Sequence, residues 1–220
     1  MRMRKKKNGA ARLEKCQEFL AKSVETPIEN SLHDFGRQAP LWLEIGAGKG
    51  GFARQMAAKN PDVCYYALER SADCIVLAAE AARADREAGV GTDNLRYMIE
   101  SADRLGELFA PRSVERIFLN FSDPWSKKGY YKRRLTYRGY LAVYFSLLKE
   151  GGELHFKTDN VGLFDFTLEE LAAMGVAPVA LTRDLHRSEY NEGNIRTEYE
   201  TRFAEQGYPI HYVAVKKPTE

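Results

Sequence analysis

The chain has 220 residues, enough for one large domain with a sizeable core or for two small ones. Its 44% hydrophobic and 29% charged residues are those of an ordinary soluble globular protein, and no apolar run reaches the ~18–20 residues that a membrane span needs. Three cysteines and four histidines lack the spacing of a disulfide framework or a metal site, so reduced thiols, a cytoplasmic setting, no membrane and no metal are expected.

The net charge is only +2, but its distribution is uneven: residues 2–7 carry five cations, and residues 127–138 carry six with no acid among them. Such asymmetry fits a polyanion footprint as well as a solvated face. Residues 1–9 read as a flexible basic arm; no apolar stretch follows it, so it is not a signal peptide. Leu13, Cys16, Phe19 and Leu20 recur at helical spacing and predict one short amphipathic helix over 10–22. Residues 23–40, with Pro27, Asn30, Gly36 and Pro40, read as a connection.

From Leu41 the pattern alternates. Strands are predicted at 41–45, 63–68, 95–99, 114–121, 153–157, near Val179 and at 210–215. Helices are predicted at 51–59, 72–88, 103–109, 137–148 and 163–174, with Gly151-Gly152 ending the fourth and opening the strand behind it. Alternating strand and helix imply a Rossmann-like α/β fold, a parallel sheet with helices on both faces. A basic arm and short helix over 1–40 and one α/β domain over 41–220 are expected.

The loop Glu44-Ile45-Gly46-Ala47-Gly48-Lys49-Gly50-Gly51 follows a strand and opens a helix. Gly46, Gly48 and Gly51 satisfy the dinucleotide spacing G-x-G-x-x-G, while Gly46, Gly48 and Gly50 satisfy the acid-x-G-x-G-x-G spacing of enzymes that use S-adenosylmethionine. Glycine spacing does not decide between them, but charge does. A pyrophosphate beside Glu44 meets a repulsion of several kcal/mol at ~4 Å in an intermediate dielectric, whereas an ammonium and a sulfonium are stabilised there. Glu69, ending the second strand, can hold ribose hydroxyls in either case.

The strand at 114–121 delivers Asn120-Phe121-Ser122-Asp123-Pro124-Trp125 and then a basic, aromatic lip, Lys127 to Arg134. Asp123 falls at the carboxyl end of the sheet, where open α/β folds place their ligands. Trp125 can wedge this loop onto the core or stack on a base. Thr197-Glu198-Tyr199-Glu200 has the form of a capping box, and Asp159-Asn160 that of an N-cap.

Taken together, the glycine loop, Asn120 to Trp125, Lys132-Arg133-Arg134-Leu135, Phe156-Lys157-Thr158-Asp159-Asn160 and Gly193 to Glu200 resemble the bacterial tRNA (guanine-N7-)-methyltransferases. The resemblance spans about residues 41–215 and the Met-Arg-Met-Arg start. It implies a class I methyltransferase fold, a seven-stranded, mostly parallel sheet with the last strand antiparallel. It further implies methyl transfer from S-adenosylmethionine to N7 of guanine in the variable loop (position 46) of tRNA. By the resemblance Glu44, Gly46, Gly48, Glu69, Ser101 and Asp123 contact the cofactor, and Asp123 is catalytic. Lys127, Asp159, Thr197, Glu198, Tyr199 and Glu200 hold the RNA and its target base.

The chain departs from the family twice. Ser101-Ala102 stands where the family usually has Asp-Ala, with Asp103 close behind. Gly129-Tyr130-Tyr131 replaces a lip segment that usually holds an Arg-His or similar pair, which shifts any stacking onto Tyr130 or Tyr131. The lip's phosphate contacts would come from Lys127, Lys128, Lys132, Arg133 and Arg134. Two other functions share these features: an NAD(P)-dependent oxidoreductase using the glycine loop, and a non-catalytic RNA-binding module. Monomer and homodimer both stay open.

Overall fold

The structure is a computed structural model that describes residues 5–218; the first four residues of the basic arm lie outside these. Behind them the backbone N–H of Lys6 donates to Asp73 Oδ1 at 2.6 Å, so the end of the arm lies on the body rather than apart from it. Helix α1 (Gly9–Glu14) then packs against the fourth helix, and a short α2 (Leu32–Phe35) follows.

The helix predicted over 10–22 is broken. A single 3-10 turn (Gln17–Phe19) follows α1, and Leu20 turns extended to bridge Tyr97, with Ala21 N donating to Tyr97 O at 2.9 Å. An unpaired sheet edge offers backbone partners that outweigh the local helical spacing.

The remaining elements are β1 (Leu41–Ile45), α3 (Gly51–Lys59), β2 (Cys64–Leu68), α4 (Ala72–Glu87), β3 (Leu95–Met98), α5 (Leu105–Leu108), β4 (Val114–Asn120), α6 (Arg138–Leu147), β5 (Leu148–Thr158), α7 (Val161–Ala173), β6 (Pro178–Thr182), α8 (Glu198–Glu205) and β7 (His211–Lys216). They build one seven-stranded sheet in the order β3-β2-β1-β4-β5-β7-β6. The first five strands run parallel, and β7 is antiparallel to both its neighbours. The expected sheet is therefore present, its last strand reversed.

Period-two alternation divides the core between the two faces. Leu41, Leu43 and Ile45 join one cluster with Leu141, Tyr144, Leu163 and Phe164 of α6 and α7, while Trp42 joins the other with Phe52, Ala53, Ile75 and Ala79 of α3 and α4. Gly151 and Gly152 do not open β5, as the sequence suggests, but sit inside it. Gly151 is left-handed (φ +72°), and a Cβ on Gly152 would lie 2.9 Å from Lys149 O and 3.0 Å from Glu115 O. The pair makes a bulge that shifts the β4–β5 register between Val114 and Arg116, so the strand begins earlier, at Leu148.

Candidate active site

At the carboxyl ends of β1 to β4 the chain surrounds a cavity of about 680 Å³. Its walls include Gly46, Glu69, Ser101, Asp103, Asn120, Asp123, Trp125, Arg133 and Tyr140. The glycine loop enters it after β1, with Gly46 N and Ala47 N both donating to Leu68 O at 2.8 and 3.0 Å. Gly46, Gly48 and Gly50 are all left-handed, at φ +83°, +55° and +73°. Gly50 has a second reason to be glycine: a Cβ there would sit 2.3 Å from the Tyr97 hydroxyl oxygen and 2.9 Å from Ala78 Cβ. Gly51 is an ordinary first helical residue of α3, with Glu198 Oε1 at 3.5 Å from a Cβ placed on it. The backbone thus requires glycine at the acid-x-G-x-G-x-G positions, and Gly51 has no such requirement.

Glu44 is buried and is not itself part of the cavity wall. Asn120, which is, donates to Glu44 Oε1 at 3.0 Å, while Oε2 has no hydrogen-bond partner among the described residues. Burial pushes the Glu44 carboxyl up to about 7, against the opposing pull of Asn120 and Lys157. Glu69 is fixed by backbone donors, Gly48 N to Oε2 at 3.1 Å and Ser71 N to Oε1 at 2.9 Å. The Ser101 hydroxyl donates to Asp103 Oδ2 at 2.8 Å, and Tyr140 of α6 donates to Asp103 Oδ1.

Asp123 is exposed at the cavity rim and makes no hydrogen bond or ion pair among the described residues. The backbone on either side of it is unusual. Phe121 N makes the last bond to the sheet, donating to Lys157 O at 2.9 Å, yet Phe121 (φ +52°) and Trp125 (φ +41°) are both left-handed without being glycine. Each such residue costs about 1–2 kcal/mol, so neighbouring contacts must hold the loop in place. Arg134 supplies one: its Nε donates to Pro124 O at 2.8 Å, and its guanidinium lies 4.3 Å from the Phe166 ring centre.

That contact makes Arg134 a brace for the loop, a role its place in a run of cations does not suggest. Arg133 rests over Trp125 at 5.1 Å and Tyr130 at 4.9 Å, and those two rings meet edge to face at 6.1 Å. Tyr131 packs its ring on Tyr137 at 5.8 Å. Both lip tyrosines are therefore engaged within the protein, while Lys127, Lys128 and Lys132 are exposed and form no ion pair among the described residues.

The quartet 197–200 is divided by helical phase. Thr197 Oγ1 accepts from Glu200 N at 2.9 Å, and Glu200 Oε2 accepts from Thr197 N at 3.3 Å, which closes the capping box of α8. Glu200 is 0% exposed and also accepts from Lys157 Nζ at 2.7 Å and Asn194 Nδ2 at 2.8 Å, with His186 Nε2 at 2.8 Å. It anchors the loop and cannot touch a substrate in this arrangement, which corrects its expected role. Glu198 and Tyr199 do face outward. Tyr199 packs on Phe121 at 5.0 Å and stacks on Phe203 at 4.2 Å; partial burial and the nearby Asp159 carboxylate push its phenol up. Asn160, not Asp159, caps α7, accepting from Leu163 N at 2.8 Å and leaving Asp159 beside Tyr199.

Asn120, Lys157 and Tyr140 are positioning residues whose roles sequence reasoning missed, and Arg134 was read only as a phosphate contact. None carried a signal of its own: even Lys157 lies in a strand that also holds Lys149, Glu150, Glu153 and His155. Among the described residues no group of His, Cys, Asp or Glu is placed to hold a metal ion, and no helix is long and apolar enough to cross a membrane.

Comparison with known proteins agrees with this geometry. A family model described as "Putative methyltransferase" matches residues 38–213. A tRNA (guanine-N(7)-)-methyltransferase of Halalkalibacterium halodurans is 45% identical over 177 residues, 80% of this chain and 78% of that one. Among solved structures, the 16S rRNA methyltransferase KamB superposes with a TM-score of 0.61 at 14% identity, covering 91% of this chain and 98% of that one. A Haemonchus contortus phosphoethanolamine N-methyltransferase 2 in complex with S-adenosyl-L-methionine gives 0.52 at 16% identity, covering 86% and 51%. At those identities the two structures speak for the fold alone: a class I methyltransferase sheet. With the match to its sequence relatives running from before β1 into β7, the chain belongs to the tRNA (guanine-N7-)-methyltransferase family.

Proposed function

We propose that the chain transfers a methyl group from S-adenosylmethionine to N7 of guanine at position 46, in the variable loop of tRNA. The observation that carries this reading is the arrangement of charge around one cavity. Buried and half-buried acids lie at the strand ends, exposed lysines lie on the lip with Lys132 reaching the cavity wall, and Asp123 stands where the two zones meet. The residues fit the cofactor. Glu44 lies behind the wall on Asn120, with its other oxygen unpartnered among the described residues, so its charge favours a cationic ligand in the cavity, and Glu69 presents a fixed carboxylate to hydroxyl donors.

S-adenosylmethionine, when bound, supplies an electrophilic methyl group on a sulfonium sulfur. Guanine N7 has a lone pair and no proton, so the chain needs no general base. Its task is to hold N7 and the methyl carbon in line near ~3 Å. As the methyl moves, the positive charge passes from sulfur to the purine ring. Asp123, unpaired at the rim, stabilises the charge that develops there or grips the base through its N1–H and amino donors. Turning the base out of folded tRNA costs a few kcal/mol, which phosphate contacts from Lys127, Lys128 and Lys132 offset. Tyr199, on the ring of the cavity residue Phe121 and with Asp159 close by, is assigned to the target base from the side of α8.

The oxidoreductase reading loses ground on the glycine loop, where Glu198 lies over Gly51 and no pyrophosphate would be welcome. The decisive experiment is to incubate unmodified tRNA with methyl-labelled S-adenosylmethionine and map the product. Label on one variable-loop guanine, as 7-methylguanine, is expected; label elsewhere or none at all overturns the reading.

A further inference from the structure

The lip segment Gly129-Tyr130-Tyr131, where the chain departs from its family, has no part in the roles above. Its backbone folds back on itself. Tyr130 N donates to Lys127 O at 3.1 Å across Gly129, which stands at φ +95°. No atom lies within 4 Å of a Cβ placed on Gly129, so the backbone conformation alone requires glycine there. A 3-10 turn (Tyr131–Arg133) follows, with Arg133 N donating to Tyr130 O at 2.9 Å, and it returns the Arg133 guanidinium to the Tyr130 ring.

The same guanidinium lies over Trp125, whose ring meets that of Tyr130, so side chains from both ends of the lip close into one cluster. Trp125 and Arg133 line the cavity. Trp125 is left-handed without being glycine, a conformation that neighbouring contacts must maintain, and Asp123 lies two residues before it. On one side of Asp123 the sheet bond of Phe121 N holds the chain; on the other, Arg134 at Pro124 O and this cluster hold it. We propose that Tyr130 is a positioning residue: by clamping Arg133 and Trp125 it fixes the Asp123 segment at the cavity rim before any RNA is bound.

This proposal rests on the methyl-transfer reading. One face of the Tyr130 ring is already covered by Arg133, and the positive charge of Arg133 is spent on protein rings. Losing Tyr130 therefore changes how often the rim is formed, while the phosphate contacts stay with Lys127, Lys128 and Lys132. Tyr131, packed on Tyr137, pins the next turn separately. A cation–π contact and an aromatic pair each shift an equilibrium by roughly 2- to 10-fold, so without Tyr130 the formed rim should lose roughly 5-fold or more against open forms.

Single-turnover methylation, tRNA affinity and tryptophan fluorescence of the full-length protein test this together. Tyr130→Ala should lower the rate at saturating tRNA roughly 5- to 10-fold and keep the tRNA dissociation constant within about 2-fold. In the free protein the same change should shift the Trp125 emission to the red, read against Trp125→Phe, which leaves only the buried Trp42. Tyr130→Phe keeps the ring and should restore both rate and emission. Gly129→Ala, which strains the turn, should reproduce the loss of rate and the red shift. An unchanged rate in Tyr130→Ala, or a lowered rate with unchanged emission, overturns the proposal. Weakened tRNA binding with unchanged emission overturns it too, and would make the tyrosine a direct RNA contact. Wild type that transfers no methyl group to tRNA overturns the reading beneath, while the emission of the free protein still reports on the clamp.

Discussion

Glu44→Gln is expected to separate stability from cofactor binding. Burial shifts the Glu44 carboxyl from the usual 4.5 to about 7. Between those values the folded protein retains a proton that the unfolded chain has released. Raising the pH through this window therefore destabilises the wild type, and above about pH 7 the loss is complete. A shift of that size corresponds to about 3 kcal/mol. Glutamine matches the volume and can still accept from Asn120, but it leaves amide hydrogens where Oε2 now has no partner, at a cost of about 1–2 kcal/mol. Above pH 7 the substitution should thus raise stability by about 1–2 kcal/mol, and near pH 4.5 lower it by a similar amount. For a chain of this length about 1 kcal/mol moves the melting temperature by roughly 2–4 °C. Thermal melts of both proteins at pH 5 and pH 8, without ligand, should show the mutant's melting temperature rising by several degrees relative to wild type. The same mutant should bind S-adenosylhomocysteine much more weakly. A melting difference that stays constant between the two pH values would refute the reasoning.

Gly50→Ala should destabilise by about 2 kcal/mol or more, through the clash with Tyr97 and the left-handed backbone, whereas Gly51→Ala should be near neutral in chemical denaturation. Equal effects would count against the assignment of the loop. Asp123→Asn should lower the single-turnover methylation rate by about 10²-fold or more while leaving the melting temperature within about 2 °C; near-normal turnover would remove Asp123 from the chemistry. Replacing Lys127, Lys128 and Lys132 together by alanine should flatten the salt dependence of tRNA binding by about two to three units of slope. Arg134→Ala should instead lower the melting temperature and the turnover while leaving that slope almost unchanged. Identical salt slopes for the two variants would undo the distinction drawn between them.

Much of the fold was legible because strand alternation and helix period are local signals, and β1, α3, β2 and α4 match their predicted spans within a residue. Sequence reasoning failed where a distant partner decided the outcome. The helix at 10–22 gave way to the free edge of β3, and the Gly151-Gly152 pair became a bulge because Glu115 O lies close on β4. In the site, types of residue were readable but allegiances were not. Arg134 is a cation among cations in the sequence, and only the fold brings Phe166 and Pro124 to it. Glu200 matched a family position, and only the helical phase of α8 turns it inward while Glu198 and Tyr199 face out.

One rung of the sheet explains why the acids, the lip and α8 hold a fixed relation. Asn120 and Lys157 are register partners on β4 and β5. Asn120 turns to Glu44, and Lys157 turns to Glu200, with further bonds to Ile195 O at 2.9 Å and Asn194 Oδ1 at 3.1 Å. Each of two buried acids on separate elements thus receives a donor from the same rung. Desolvation lowers the Lys157 ammonium, and Glu200 opposes that shift, so removing either partner would leave a buried charge uncompensated. The residue that follows β4, Phe121, both makes the last sheet bond and carries Tyr199 on its ring. Because Asp123 lies two residues beyond, its position and that of the outward face of α8 are set by the same strand end. The 193–200 loop thus touches the strand end that carries Asp123 through Tyr199 on Phe121, and it touches the helix behind the glycine loop through Glu198 beside Gly51 and Lys59 Nζ, which donates to Gly193 O at 3.1 Å.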